Sequence, residues 1–252
     1  MKTLRRSLGR TCALVLGIVA FPHLPAQGAE TRFCLGITES VFDVTLSLPV
    51  PGIVTTLKVK EGDLVQTNDV LVLLDSRLEE IEMERRKCIM ENRKTDLDST
   101  RKVFDKSSSV SRDELLKREA EYKVSAAEYA EAEEQFQRRR LLAPGRGIVS
   151  EIKLRLGEAC AAYEPVVRIV DPRQCYFISN VEAKHSARLK PGQTVQIEVE
   201  NAPVPIRVEG RLVFVSPVVD SASGLQKVKA VFDNTEGKVR PGLAGKMLLD
   251  AP

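Results

Sequence analysis

Residues 51–75 read PGIVTTLKVKEGDLVQTNDVLVLLD, and residues 146–171 read RGIVSEIKLRLGEACAAYEPVVRIVD. Shifted by 95 positions, the two stretches align without a gap: Gly52, Ile53, Val54, Lys58, Gly62 and Val72 meet Gly147, Ile148, Val149, Lys153, Gly157 and Val167. Conservative pairs fill other places, such as Thr55 with Ser150, Leu57 with Ile152, Lys60 with Arg155 and Asp63 with Glu158. Each copy alternates with a period of two. Ile53, Thr55, Leu57 and Val59 are expected on one face and Lys58 and Lys60 on the other; Ile148, Ser150, Ile152 and Leu154 keep that phase, as a half-buried strand would. A Gly-centred turn follows at Gly62 or Gly157, then a second apolar run, Val70–Leu74 or Val166–Val170. Gly52 and Gly147 are read as structural turn positions as well. One copy is too short to cover its own apolar face, whereas two copies packed together can. The expectation is a single β-sandwich built from 50–75 and 141–171, although 71 residues separate Asp75 from Gly147.

Residues 76–140 contain neither Gly nor Pro and carry 16 Lys/Arg and 16 Asp/Glu, a strongly helix-forming composition with no net charge. Leu115, Tyr122, Tyr129 and Phe136 recur every seven residues, and Leu78, Ile81, Ile89, Val103 and Phe104 form a looser stripe upstream. Lys106-Ser107-Ser108-Ser109 interrupts both, and Ser111 before Asp113-Glu114 suits the cap of a new helix. Two antiparallel helices of about 28 residues, each about 40 Å long, would form a coiled-coil hairpin projecting from the sandwich.

After Cys175 the pattern becomes short strands separated by turn signals at Lys190-Pro191-Gly192, 220–224 and Arg240-Pro241-Gly242, which predicts a small β-barrel over 172–252, with an unclosed sandwich as the alternative. Gly192 and Gly242 are the turn glycines there. The segment 29–49 is read as a strand leading into the sandwich and able to join the barrel. The fold class is therefore mixed β with a helical hairpin: a lipoyl-like β-sandwich split by an antiparallel α-helical coiled coil and followed by a β-barrel.

Lys2, Arg5, Arg6 and Arg10 precede the apolar run Cys12–Phe21, and 1–28 reads as a secretory signal peptide, with an uncleaved N-terminal anchor as the alternative. Export would place four cysteines (Cys34, Cys88, Cys160 and Cys175) in an oxidising compartment. They show no CxxC spacing; a Cys160–Cys175 bridge and isolated buried thiols are both open. The net charge of +3 and the absence of Trp argue against nucleic-acid binding.

The order of parts and the motifs VPGIVTTLKVKEGDLVQTNDVLVLLD, LLAPGRGIVSEIKLRLGEACAAYEPVVRIVD, LKPGQTVQIEV and GRLVFVSPVVDSASGLQKVKAVFDNTEGKVRPGLAGKMLL resemble the periplasmic adaptors, or membrane fusion proteins, of Gram-negative tripartite efflux pumps. The resemblance is to the hemolysin-secretion-D-like, resistance-nodulation-division type. It covers nearly all of the chain after the signal segment. It implies a homo-oligomeric ring, from trimer to hexamer, joining an inner-membrane transporter to an outer-membrane channel protein. It also implies a location in the periplasm, associated with the inner membrane. The hairpin tip would meet the channel, which nominates Arg101, Phe104, Val110, Ser111, Arg112 and Leu115. Phe104 and Ser111 keep the family's tip spacing, but Thr100 stands where its Arg belongs; Arg101 comes one later, about 100° further around a helix. Many such adaptors carry a membrane-proximal domain after the barrel. This chain ends at Pro252 directly after the last barrel strand, so that domain is expected to be absent or very reduced, and an ATP-driven exporter or secretion system is the alternative partner.

Other function classes fit less well. A lipoyl or biotinyl carrier needs a modifiable Lys at the hairpin where Asp75-Ser76 instead departs into the helices, so no cofactor is expected. A purely structural coiled-coil protein remains a lesser alternative. After the signal segment His185 is the one histidine, and no nucleophile triad, HExxH or phosphate loop is present, so no catalytic residue is assigned and the protein is not read as an enzyme. Met83 and Met90 lie seven apart with Cys88 between them, but two thioethers in a helical seam are read as packing, and no metal site is assigned.

Overall fold

The computed structural model describes residues 33–107, 109–200 and 204–249. The predicted signal segment lies outside them. In chain order the elements are β1 (Phe33–Ser47), β2 (Gly52–Leu57), β3 (Leu64–Val65), β4 (Val70–Leu74), α1 (Arg77–Ser107), α2 (Arg112–Gln137), β5 (Arg140–Leu142), β6 (Gly147–Ile152), β7 (Ala159–Cys160), β8 (Pro165–Glu182), α3 (Ala183–Ser186), β9 (Thr194–Val199), β10 (Ile206–Val215), β11 (Leu225–Asp233) and β12 (Ala244–Leu248). Among the described residues no helix is long and apolar enough to cross a membrane.

The two repeats fold against each other and exchange strands. β3 of the first pairs with β6 of the second, Leu64 opposite Ile148, and β7 of the second pairs with β2 of the first, Ala159 opposite Ile53. The exchange continues in the turns. Gly62 donates its N–H to the Val149 carbonyl and Gly157 donates to the Val54 carbonyl, each at 2.8 Å; Val54 and Val149 donate in turn to Glu158 and Asp63, each at 2.9 Å. Gly62 and Gly157 sit at φ +92° and +84°, which a side chain would resist. The core between the layers holds Leu48, Leu71, Val72, Val166 and Ile169, all essentially inaccessible to solvent.

The strand phase differs from the one expected. Val54 and Val149 are buried, each 1% exposed, while Ile53 is 53% and Ile148 38% exposed. Pairing slips between Val54 and Thr56, and again between Val149 and Glu151. One extra residue in each strand moves the inward face from even to odd positions in the first copy, and correspondingly in the second. Beyond the slip, Leu57, Val59 and Ile152 pack against the core and Leu154 lies within it. Gly52 and Gly147 are not turns: they open β2 and β6. A Cβ on Gly147 would lie 2.4 Å from Ile169 Cγ2, so close packing explains that glycine. Gly192 and Gly242 do lie in turns.

β1, β12, β9, β10, β11 and β8 close into a six-stranded barrel through the pairing of β1 with β8. Its interior holds Phe177, Ile197, Leu212 and Met247. Gly36 and Gly245 face each other across β1 and β12 because the Phe177 ring occupies the space beside them. The same two long strands serve both bodies: Gly36–Ser40 pair with β8 in the barrel and Phe42–Ser47 in the sandwich. A single strand thus crosses the 171/172 boundary expected from sequence. Between the bodies Val41 faces Pro172, Arg173 and Gln174 across an irregularity. Buried Asn234 fills it, its amide donating at 2.7 Å to the Pro172 and Val239 carbonyls while its carbonyl accepts from Val239 N at 2.9 Å.

Cys160 lies in the sandwich core and Cys175 in the barrel core, and all four described cysteines are free. Burial pushes the Cys34, Cys160 and Cys175 thiols up, which keeps them protonated.

Candidate functional site

The long excursion between the halves is a pair of helices. α1 runs 31 residues and α2 runs 26, so α1 alone reaches about 45 Å. Acidic residues open both helices: Glu79 and Glu80 in α1, Asp113 and Glu114 in α2, where they meet the positive end of each helix dipole. Ser111 caps α2, its hydroxyl accepting from Glu114 N at 3.1 Å.

The seam between the helices buries few side chains fully. Only Leu97 of α1 and Ser125, Ala132 and Phe136 of α2 are buried. Leu115, Tyr122 and Tyr129 are half-buried, as their heptad spacing predicts. On α1 the inward row is Met83, Arg86, Met90, Leu97, Thr100 and Phe104. The stripe read from sequence holds only in part on this helix: Ile89 and Phe104 are half-buried, but Leu78 is 78% exposed, Ile81 55% and Val103 43%. Charged side chains add to this thin apolar seam. Arg86 binds Glu128 at 2.5 Å and Arg93 binds Glu121 at 3.3 Å, two rungs one heptad apart on both helices. The sequence concealed this because an arginine at an inward position looks like a surface residue until its partner is known. Hydrogen bonds from Arg85 first, then Arg86, hold the Glu82 carboxyl down to about 2. Met83 and Met90 sit half-buried in the seam while Cys88 is exposed, so the three do not converge on one point.

At the tip, Arg101 and Arg112 are exposed, Phe104, Val110 and Leu115 are half-buried, and Ser111 is exposed while capping α2. The most exposed apolar side chains there are two that the sequence reading did not nominate: Val103 at 43% and Leu116 at 52%. Each is a neighbour in sequence of a nominated residue, Phe104 or Leu115, whose inward turn toward the seam leaves the next position outside. Among the described residues no ion pair holds Arg101, Lys102, Lys106 or Arg112. The end of the hairpin thus combines small apolar spots with unpaired charge of both signs, since exposed Asp105 and Asp113 are likewise outside every ion pair among the described residues.

A sandwich split by a hairpin and joined to a six-stranded barrel by two shared strands also has counterparts in sequence. Residues 43–171 match the model of the CzcB-like, barrel-sandwich hybrid domain, and 178–252 match that of the CusB-like, beta-barrel domain. The chain belongs to the membrane fusion protein family. Among solved structures, this membrane fusion protein is similar to a MacA-MexA chimeric protein containing the Pseudomonas aeruginosa MexA alpha-hairpin domain, with TM-score 0.75, 18% identity, and 86% of this chain and 79% of that one covered. It is also similar to the membrane fusion protein Spr0693 of Streptococcus pneumoniae R6, with TM-score 0.68, 16% identity, and 88% and 99% covered. At these identities the likeness is one of fold. A curated relative, an uncharacterized protein of Haemophilus influenzae, is 24% identical over 242 residues, or 93% of this chain. The chain spans 61% of that relative's length.

Proposed function

We propose that this membrane fusion protein is a periplasmic adaptor that links an inner-membrane transporter to an outer-membrane channel, and that it works by assembly and not by chemistry. Copies form a ring of three to six. The barrel and sandwich dock on the transporter, and the hairpin tips meet the channel end-on and hold it open. The observation that carries this reading is the hairpin itself: an arm about 45 Å long with almost no buried core, ending in exposed Val103 and Leu116 beside unpaired Arg101 and Arg112. An arm of that kind has no use to the fold that bears it. A charged, weakly apolar tip suits a partner surface with charged rims around shallow apolar pockets. No single contact need be strong, because several tips engage at once.

Two tip variants test it, Phe104→Asp and the outward-facing pair Val103→Asp with Leu116→Asp. In a strain that depends on this protein for export, both are expected to abolish export with protein abundance and helical content unchanged. Normal export by the Val103/Leu116 variant would sink the tip assignment.

A further inference from the structure

An arm this long magnifies any looseness at its base. The chain passes from sandwich to hairpin twice, from β4 into α1 and from α2 into β5. Backbone hydrogen bonds seat both crossings, from Asp75 N to the Ile53 carbonyl and from Leu74 N to the Arg139 carbonyl, each at 2.9 Å. Two points of attachment define an axis, and a rod held at two points can still swing about the line joining them. A third point off that line is needed to fix the angle.

Arg139 supplies one. Its Nη1 donates to the Pro51 carbonyl at 2.9 Å and its Nη2 to Glu79 Oε1 at 2.5 Å. Pro51 leads into the sandwich strand β2, Glu79 stands in the first turn of α1, and Arg139 itself lies just past the end of α2. One guanidinium therefore ties both helix ends and the sandwich together. The pair is shielded, its side chains 23% and 20% exposed, whereas the seam pair Arg86–Glu128 is 31% and 43% exposed. The other ion pairs of the hairpin run within a helix or between the helices. Gly52 makes room for this contact: a Cβ there would lie 3.0 Å from Arg139 Nη1 and 3.1 Å from Leu74 Cδ1. A lysine could not substitute, because its single ammonium does not present two donors on a planar fork.

We propose that Arg139 is the positioning residue of the hairpin: held at once by the Pro51 carbonyl and the Glu79 carboxylate, it sets the angle at which the arm leaves the sandwich and so the place where the tip lands. The leverage is large, since a tilt of about 10° at the base moves a tip about 45 Å away by about 8 Å. The purpose of the clamp rests on the adaptor reading, but its existence can be tested on the isolated protein.

The measurement is a distance distribution between spin labels on Ser109→Cys at the tip and Lys58→Cys on the sandwich, both exposed positions, in a Cys88→Ser background. Cys34, Cys160 and Cys175 are buried and are left in place, with a protein lacking the two introduced cysteines as the labelling control. The reference protein is expected to give one narrow distribution. Arg139→Ala should widen it, by about 8 Å for every ~10° of added swing. Arg139→Lys should widen it nearly as much, and Glu79→Gln less, because the Pro51 contact survives. If Arg139→Ala folds poorly, Glu79→Gln carries the test. An unchanged narrow distribution in the folded Arg139→Ala protein, or in Glu79→Gln where that variant stands in, overturns the clamp. A widened distribution together with normal export at normal abundance overturns its positioning role. Failure of the adaptor reading looks different: the tip variants would export normally while the distribution still responded to Arg139.

Discussion

The molecule contains two internal pairs, the two halves of the sandwich and the two helices of the hairpin, and they are held together by different chemistry. The sandwich halves exchange strands and turn hydrogen bonds through the main chain over a dry core. The helices share four buried side chains and two ionic rungs. The first pair is insensitive to the identity of its outward side chains and intolerant of added volume. The second depends on which side chain faces which, and it responds to the charge state of those side chains. An adaptor needs both: a body that does not deform, and an arm whose surface is free to be shaped by its partners.

The largest effect should come from adding volume inside the first pair. Gly147→Val places atoms where Ile169 Cγ2 already stands, 2.4 Å from the new Cβ, and the site is buried. The expected cost is about 3 kcal/mol. Gly157→Val meets nothing within 4 Å and suffers only from its φ of +84°, so it should cost about 1–2 kcal/mol. Urea unfolding of the two variants gives the comparison directly. Equal losses would mean that the packing at Gly147 relaxes freely and that the sandwich is softer than its geometry implies.

An effect of a different kind, on the charge of the arm, is expected in the hairpin on acidification. Glu82 titrates near 2 when folded against an ordinary value of 4.5, so its favourable contribution is fully present above the ordinary value and is lost as pH falls through about 2. Helical circular dichroism should therefore decline slightly between those limits, while the sandwich and barrel, held by apolar cores and main-chain ladders in addition to the ion pairs Asp43–Arg168 and Asp171–Arg173, keep more of their signal. Glu82→Gln should remove the contribution of this group to that decline. A variant whose acid profile matched the parent would shift responsibility to the other carboxylates of the arm.

The contrast between the pairs also accounts for what could be read in advance. The repeat at a 95-residue offset, the helical excursion and the strands of the barrel were legible because glycine positions and apolar runs carry them, whereas closure of the barrel rests on the pairing of β1 with β8. The strand phase was not, because a bulge at Thr55 and another at Ser150 leave no mark in the composition, and two copies with the same bulge agree with each other in the same wrong phase. The inward row of α1 was legible only in part. Met83, Met90, Leu97 and Phe104 recur every seven residues on the inward side, but Leu78 and Ile81 face outward and Arg86 faces inward, so the apolar stripe read from sequence strays off the seam. At the tip the sequence located the end of the arm through Ser111, but it ranked Phe104 and Leu115 above their more exposed neighbours Val103 and Leu116. The Arg139 clamp was invisible, since its partners Pro51 and Glu79 lie 88 and 60 positions away.

The smallest effect sharpens the comparison within the sandwich itself. Asn68 and Tyr163 occupy equivalent places in the two repeats, 95 positions apart, and both adopt the left-handed region, at φ 69° and 61°. Both donate main-chain N–H groups across to the neighbouring segment, Asn68 to the Ala143 carbonyl at 2.8 Å and Tyr163 to the Leu48 carbonyl at 2.7 Å. Asparagine tolerates that conformation and a bulky aromatic residue does not. The Tyr163 ring is 75% exposed, so little burial compensates for the strain. Tyr163→Asn is therefore expected to stabilise the protein by about 1 kcal/mol, and Asn68→Tyr to destabilise it by about as much. Opposite shifts of the urea midpoint in the two variants would establish that the repeats are equivalent in backbone energetics as well as in shape. A lower midpoint for Tyr163→Asn would mean that the ring gains more from its surroundings in the second repeat than its exposure suggests, and the symmetry between the halves would then stop at the main chain.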